Sequence, residues 1–522
     1  MTLRKNRNFR LDSYETPMSY AAFEAEVAKV NDILCAVNVL VWDSRTMMPP
    51  AAAEARGKQL GTLVAVAREI ATGDSMRKSL DAARMELAGM PGEHLRRRAL
   101  DDAASAIATL GRIPARLVQE SAERRTEGQA IWIKARAEND FAAFVPVLER
   151  TVALQREIGE HIGYADHPYD AACGTFEPDI SWAQLKHLYA DLKGAIGPLL
   201  QAALQARPAR VDVLERTYPI EKQKAFSKAV AARMGYDFER GRLDDTVHPF
   251  EISFTRTDAR ITGRFRENWL PGGLFAVWHE AGHGIYEQGV APEFTRSVFT
   301  TDLLNLYAVG GTSFGMHESQ SRLWENRVGR SRRFWEQNFG ALQAEFPGQL
   351  ADVSVAEFWR AVNAPRPSLI RVEADELTYD LHIILRSEIE AGLMDGTLRV
   401  ADLPAIWADK VRGYLGLDVP TNTLGVLQDA HWSAGMIGSF PTYTMGNIMS
   451  SQLFKAATKV PEIERGLEAG DYVPLRTWLG DKVHRHGRSL TPAEIMNAAT
   501  GKVLGTDDYI DDLRRKVAEL HA

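Results

Sequence analysis

Apolar residues recur at three- and four-residue spacing over most of this chain, as they do on one face of an α-helix. Three of these runs open with Ser or Thr followed three residues later by Gln or Glu, at residues 181–184, 354–357 and 491–494. This pairing is typical of a capping box at the start of a helix. The sequence has no fixed-period repeat and no long Gly, Ser or Pro linker. The pattern therefore predicts a mainly α-helical protein.

One segment departs from the helical spacing. In HPFEISFTRTDARITGRF, residues 248–265, Phe250, Ile252 and Phe254 alternate with polar residues. This alternation is typical of a strand with one buried face. We predict one or two short strands here, which form a small β element beside the helix that follows.

The chain has 522 residues, enough for about three to four average domains, although a large helical protein can also fill this length as one body. We expect a single domain over residues 1–522. Within it we distinguish an N-terminal helical part (about 15–245), a central part (about 246–450) and a C-terminal helical part (about 451–522). Breaks in the pattern near 208–211 and 241–249 are the best candidate boundaries.

The charge distribution argues against nucleic acid as a partner. The 62 basic residues are interleaved with 69 acidic ones, for a net charge of −7, and nucleic-acid binding favours a basic stripe. A charge-neutral or peptide-like partner fits this balance better.

Neither a signal peptide nor a membrane span is indicated. The basic opening MTLRKNRNFR is not followed by a long apolar run, and no window approaches the roughly 18 continuous apolar residues of a span. Cys35 and Cys173 are too few for a disulfide framework, so we expect buried thiols in a reducing compartment. These features predict a cytoplasmic protein.

The segment FAVWHEAGHGIYEQG, residues 275–289, contains the strongest chemical signal. His279 and His283 are four residues apart, so on a helix both imidazoles can face one metal ion. Glu280 lies at the edge of that face and can reach a water without being a ligand. Gly282 and Gly284 would each cost the helix about 1 kcal/mol, which indicates a close approach of backbone or substrate.

A catalytic zinc site needs a third protein ligand. The richest candidate segment is GTSFGMHESQSRLWEN, residues 311–326, in which His317 and Glu318 follow a turn of small residues and precede a helical pattern. We expect Glu318 to complete a His, His, Glu set from a second helix. Glu287 and Glu325 remain alternative third ligands.

These two segments and four others resemble the carboxypeptidase Taq family of zinc metallocarboxypeptidases. The others are WDSRTMMPP (42–50), DARIT (258–262), IRVEADELTYDLHIILRSEIE (370–390) and GVLQDAHW (425–432). The resemblance spans most of the chain. It implies a nearly all-helical metallopeptidase fold with a deep central groove, one divalent ion at the groove floor, stepwise removal of C-terminal residues, and often a homodimer.

The resemblance also assigns roles at the metal site. His279 and His283 would be ligands, Glu280 the general base and acid, and Glu318 the third ligand. One departure is visible, because the segment between the two ligand motifs, residues 284–316, looks longer than in other members. This difference bears on the local loop shape and on substrate preference.

Two residues downstream are candidates for stabilising the oxyanion of the reaction. His431 of QDAHW and Tyr443 can each donate a hydrogen bond to developing negative charge. The alternative for both is a packed side chain in the core or groove wall.

Two arginines are candidate substrate contacts. Arg371 is, by resemblance, the best candidate to grip a free carboxylate through paired hydrogen bonds. Its alternative is an ion pair with Asp375 on an exposed helix face. Arg260, with Asp258 in DARIT, is expected to structure the groove, and a substrate contact is the second interpretation.

Three other histidines are expected to play no part in catalysis. His382 lies among apolar neighbours in LHIILR, so we expect a packed side chain. His484 and His486 alternate with arginines, which indicates a solvated turn.

The predicted activity is metal-dependent hydrolysis of C-terminal peptide bonds. The metal would be zinc, with cobalt or manganese as alternatives, since His and Glu accept several divalent ions. The alternatives to this activity are an endopeptidase or oligopeptidase of the same fold and a catalytically silent peptide-binding protein.

Overall fold

The computed structural model describes residues 19–521 and is mainly helical. Six helices joined by short connections come first along the described chain. They are α1 (Tyr20–Thr46), α2 (Ala53–Thr72), α3 (Asp74–Glu86), α4 (Leu95–Arg112), α5 (Ala115–Glu138) and α6 (Phe141–Ile162).

The next stretch of the chain, residues 168–322, contains both the strands and the two helices with the predicted metal ligands. Its elements are α7 (Pro168–Gly174), α8 (Trp182–Leu204), α9 (Ile220–Met234), β1 (Leu243–Asp245), β2 (Glu251–Thr255), β3 (Asp258–Gly263), α10 (Leu270–Gly289), β4 (Thr301–Asp302), β5 (Tyr307–Ala308) and α11 (Phe314–Arg322).

The remaining helices close the fold. They are α12 (Arg332–Glu345), α13 (Pro347–Leu350), α14 (Val355–Asn363), α15 (Tyr379–Asp395), α16 (Leu403–Leu415), α17 (Pro441–Ala457), α18 (Pro461–Ala469), α19 (Val473–Lys482), α20 (Pro492–Thr500) and α21 (Asp507–His521).

The three predicted capping boxes are present. At the starts of α8, α14 and α20, the Ser or Thr oxygen accepts a hydrogen bond from the backbone N–H three residues on, and the Gln or Glu side chain accepts one from the backbone N–H of that Ser or Thr. These reciprocal bonds satisfy backbone N–H groups that a helix start otherwise leaves free. The helical prediction is confirmed.

The predicted β element is also present. β3 is the central strand of a three-stranded sheet, paired in parallel with β1 and antiparallel with β2. This sheet packs against α10 and α1. It therefore supports the helix that carries the two histidines.

The two largest hydrophobic cores hold most of the described residues together. The larger core joins buried residues from α5 to α21. The second core joins α1 to α4 with apolar residues of the segment 290–308. The segment between the two ligand motifs thus packs onto the N-terminal helices. None of the helices described within residues 19–521 is long and apolar enough to cross a membrane.

Both cysteines are free thiols. Cys173 is buried as expected, but Cys35 is only partly buried, so the expectation of two buried thiols is half right.

Candidate metal centre

Helix α10 is almost wholly buried, and its packing fixes the direction of the two histidines. It begins at Leu270 with a proline in its first turn and ends at Gly289. Trp278 is fully buried and meets the edge of Phe275 at 5.3 Å between ring centroids. On the next face, the rings of His279 and His283 are 5.0 Å apart.

Two glycines let neighbouring helices touch α11. A Cβ on Gly282 of α10 would lie 2.6 Å from the carbonyl oxygen of Gln320, and a Cβ on Gly446 of α17 would lie 2.5 Å from Cγ of Glu318. Contacts this short exclude any side chain at either position. The close approach expected at Gly282 is therefore to a protein backbone, and it places Glu318 against the histidines.

The three predicted ligands converge. Oε2 of Glu318 lies 3.5 Å from Nε2 of His279 and 3.4 Å from Nε2 of His283. One ligand atom from each residue lies within 4.8 Å of the others. Two imidazole nitrogens and a carboxylate oxygen form the donor set of many catalytic zinc sites. The residues present fit a divalent ion of this kind.

The other ring nitrogen of each histidine is already engaged. Nδ1 of His279 lies 2.9 Å from Glu325, and Nδ1 of His283 lies 2.5 Å from Nδ1 of His317. Nε2 of His317 in turn lies 2.9 Å from Glu287. Partners at Nδ1 orient each ring and leave Nε2 free to bind a metal.

The alternative ligands therefore have other positions. Glu325 is the partner of His279, and Glu287 accepts hydrogen bonds from His317 and from the backbone N–H groups of Gly310 and Gly311. Both carboxylates therefore orient histidine rings, and neither faces the point where His279, His283 and Glu318 converge.

The electrostatics favour an ionised Glu318. Burial alone would raise the pKa of Glu318. The Arg322 guanidinium and the His279 ring outweigh burial and hold this pKa well below its usual value. Nε of Arg322 donates to Glu318 at 2.7 Å. Burial lowers the pKa of His283 to about 3, so this ring is neutral. Burial also acts to lower the pKa of His279, but the charge of Glu318 outweighs it and raises the value to about 10. A metal cation would replace that proton.

Glu280 is buried beside these groups, with 7% of its surface exposed. Burial raises the pKa of Glu280 to about 7, and the charges of Glu318 and Glu325 add to the shift. A carboxyl group with this pKa can both accept and donate a proton near neutral pH.

The partner of His279 offers a direct test. In a Glu325→Gln variant we expect metal affinity to fall about 10- to 100-fold, because the ring loses a charged acceptor that orients it and increases its basicity. Competition with a chromophoric chelator measures this change. Glu336→Gln is the control, since Glu336 forms an exposed ion pair on α12. Equal affinities in the two variants would contradict this role for Glu325.

Arg371 belongs to another group of buried polar and charged side chains, separate from the three predicted ligands. This arginine lies in a short 3₁₀ turn, Arg371–Glu373. Its Nε and Nη2 donate to Oδ1 of Asp429 at 3.0 and 2.9 Å, and Nη1 donates to the hydroxyl of Tyr379 at 3.2 Å. The alternative of an exposed ion pair with Asp375 is wrong, because Asp375 accepts hydrogen bonds from the Thr378 backbone and hydroxyl.

Tyr379 connects the two groups. Its hydroxyl accepts from Arg371, and the Arg322 guanidinium lies 4.2 Å from its ring centroid. Arg322 is the ion-pair partner of Glu318. Arg371 therefore lies one side chain away from the partner of the third ligand.

His431 and Tyr443 form a contacting pair beside Arg371. Nε2 of His431 is 3.1 Å from the Tyr443 hydroxyl, and the Arg371 guanidinium lies 5.3 Å from the Tyr443 ring centroid. Burial, followed by the charge of Arg371, lowers the pKa of His431 to about 3, so the ring is neutral. The structure brings both candidates to the Arg371 group, and their catalytic roles stay predictions.

Arg260 has a different environment. It pairs with both oxygens of Asp258 at 2.9 Å and stacks between Trp42 and Phe254, at 4.5 and 4.7 Å from the ring centroids. These contacts tie β3 to α1 and β2, as a structural role requires. Its predicted substrate contact stays a prediction.

Of the histidines predicted to lie outside the site, His382 agrees with its prediction and His484 does not. His382 is buried, and burial lowers its pKa to about 3, as expected for a packed ring. The prediction of a solvated turn at His484 is wrong, since this residue is 1% exposed and its Nε2 lies 2.9 Å from Gln320. It supports the helix that carries Glu318.

Comparisons with known proteins agree with this geometry. A profile of the carboxypeptidase Taq (M32) metallopeptidases matches residues 22–517. Carboxypeptidase 1 of Bacillus subtilis is 36% identical over 93% of this chain and 95% of its own length. Thermostable carboxypeptidase 1 of Thermus thermophilus is 36% identical over 92% of this chain and 94% of its own.

Solved structures are similar over the same extent. The M32 carboxypeptidase of Deinococcus radiodurans superposes with a TM-score of 0.90 at 38% identity, covering 96% of this chain and 99% of that one. The profile match and the two relatives each cover nearly the whole chain. This protein therefore belongs to the carboxypeptidase Taq (M32) family of metallocarboxypeptidases, hydrolases that act on peptide bonds.

Proposed function

We propose that His279, His283 and Glu318 hold a catalytic Zn²⁺ and that the chain uses it to remove residues one at a time from the C-termini of peptides or unfolded polypeptides. The observation that carries the proposal is the convergence of three ligand atoms within 4.8 Å beside the buried Glu280. Co²⁺ and Mn²⁺ are alternative ions, because this donor set accepts several divalent metals. When bound, such an ion lowers the pKa of water to about 7 and polarises a carbonyl group.

Glu280 moves the proton. Its carboxylate accepts a proton from the attacking water and then donates it to the nitrogen of the leaving amine. Burial raises the pKa of Glu280, which helps its carboxyl group to hold the proton between the two steps.

Tyr443 and His431 support the reacting carbonyl. Nε2 of the neutral His431 ring, 3.1 Å from the Tyr443 hydroxyl, can donate to that hydroxyl oxygen and leave the Tyr443 O–H as the donor to the oxygen that becomes negative. Their fixed positions avoid the reorganisation that water would require.

Arg371 selects the end of the substrate. A guanidinium has five N–H donors, and three of them reach Asp429 and Tyr379. One N–H on each Nη is left without a partner among the described residues. Two parallel donors of this kind match the two oxygens of a terminal carboxylate. This match supports exopeptidase rather than endopeptidase action.

The carboxylate preference is measurable. For Arg371→Gln we expect the ratio of kcat/KM for a free-acid peptide to that for its C-terminal amide to fall about 100-fold, because a buried charged hydrogen bond to the carboxylate is lost. Arg366→Gln is the control, since Arg366 is half exposed and pairs with Glu215. An unchanged ratio would favour the endopeptidase alternative.

We also propose that the catalytic unit is a single domain spanning residues 1–522, that it works as a homodimer in the cytoplasm, and that a deep groove leads to the metal. The family resemblance supports the homodimer and the groove. Light scattering on the purified protein measures the mass of the assembly, and a monomeric mass would contradict the homodimer.

A further inference from the structure

Asp429 lies between two guanidinium groups. Its Oδ1 accepts from Arg371, while its Oδ2 accepts from Nε of Arg386 at 2.7 Å and lies 2.6 Å from Nη2 of the same residue. Both arginines are buried, and the side chain of Arg386 is 0% exposed. One carboxylate therefore serves two buried cations.

The charges of this group do not cancel. Burial lowers the pKa of Arg386 to about 10, which still leaves it protonated at neutral pH. The two guanidinium groups hold the pKa of Asp429 well below its usual value, so it is ionised. The neighbouring rings of His382 and His431 are neutral, each with a pKa of about 3. Within the trio of Arg371, Arg386 and Asp429, two positive charges thus face one negative charge, and the nearby Glu390, whose pKa burial raises to about 7, accepts hydrogen bonds from Tyr169 and Trp432 instead.

Arg386 cannot reach a substrate itself. Nη1 donates to the carbonyl of His382 at 2.7 Å, and the guanidinium lies 4.6 Å from the Trp407 ring centroid and 5.5 Å from that of Phe440. These contacts enclose it on α15. Any effect on substrate has to pass through Asp429.

We propose that Arg386 is the positioning residue that gives the carboxylate-binding site its net positive charge. Because Arg386 binds Oδ2, it partly neutralises the negative charge of Asp429. The Arg371 guanidinium is then not fully neutralised by Asp429 and can still attract a substrate carboxylate. If Arg371 alone faced Asp429, the pair would be neutral and would attract an incoming anion weakly. This inference rests on the proposed role of Arg371 and deepens it.

The test uses inhibition constants of a dipeptide product with a free carboxylate and of its amide, measured on the metal-loaded enzyme. In Arg386→Gln we expect Ki for the acid to rise about 10-fold or more, since one unit charge is removed from a buried site. The Ki of the amide and kcat should change much less. Arg386→Lys keeps the charge and should retain most of the acid affinity. Arg156→Gln is the control, because Arg156 also contacts α15 but donates to the Leu393 carbonyl.

A second comparison separates charge from packing. Removing both opposite charges, with Arg386→Gln together with Asp429→Asn, leaves the charge of Arg371 and should bind the acid better than Arg386→Gln alone. Where Arg386→Gln does not fold, the double variant is compared with Asp429→Asn alone, and it should bind the acid more weakly. Equal Ki values for the acid in either comparison would overturn the inference.

The result for Arg371→Gln distinguishes a failure of the proposed carboxylate site from a failure of the role proposed for Arg386. If Arg371→Gln leaves the preference for the acid unchanged, the carboxylate site itself is wrong. If Arg371→Gln removes the preference and Arg386→Gln does not alter it, only the role of Arg386 is wrong.

Discussion

The Glu280→Gln variant is expected to bind metal as the parent protein does and to lose about 10⁴-fold in kcat, the upper end of what general acid–base catalysis contributes. Gln has nearly the same shape as Glu but cannot accept the proton of the attacking water. Since Glu280 forms none of the contacts that orient His279 and His283, the ligands should stay in place.

Metal content by mass spectrometry and steady-state turnover of a free-acid peptide provide the two readouts. Glu293→Gln is the matched control, because Glu293 is exposed in the turn that follows the same helix. Turnover at the parent level in Glu280→Gln would refute Glu280 as the proton carrier. Loss of metal in this variant would instead give the residue a structural role.

Glu318→Gln is expected to lose most of its metal as well as its activity. The amide replaces a charged ligand with a weaker neutral donor, and the positive Arg322 beside it would then face an incoming cation without its counter-charge. Metal stoichiometry after gel filtration at low free metal should fall well below that of the parent.

The alternative ligands provide the comparison. Glu287→Gln and Glu325→Gln should retain metal at saturating concentration, because these carboxylates contact His317 and His279 and are not among the three proposed ligands. Full stoichiometry in Glu318→Gln with complete loss in Glu325→Gln would mean that the third ligand has been misassigned.

Local patterns were sufficient to choose the three side chains that converge, His279, His283 and Glu318. Capping boxes marked helix starts, alternation marked β2, and the four-residue spacing of His279 and His283 required a helix. Glu318 could be chosen because a turn of small residues and a helical pattern surround it. Each signal lies within a few residues of the feature it predicts.

The charged group around Arg371 could not be predicted from nearby residues in the sequence. Asp429 is 58 residues from Arg371 and 43 from Arg386 along the chain, so only the fold brings them together. The nearer Asp375 was a plausible partner by spacing alone. Asp429 lies in the family-like segment GVLQDAHW, but nothing in that segment indicates which cation its carboxylate contacts.

The prediction for His484 was wrong for a related reason. Its arginine neighbours indicated solvent, but a short 3₁₀ turn directs this ring inward to Gln320. Alternation over three residues cannot distinguish such a turn from an exposed loop. The contact with α11 arises from tertiary packing.

The central claim is metal-dependent removal of residues from the C-terminus. Mass spectrometry of a peptide, incubated with the protein before chelation, after chelation and after zinc is restored, tests it most directly. The account predicts a ladder of peptides shortened one residue at a time from the C-terminus, which disappears with the chelator and returns with the metal. Internal cleavage, shortening from the N-terminus, or a ladder that persists without metal would contradict it.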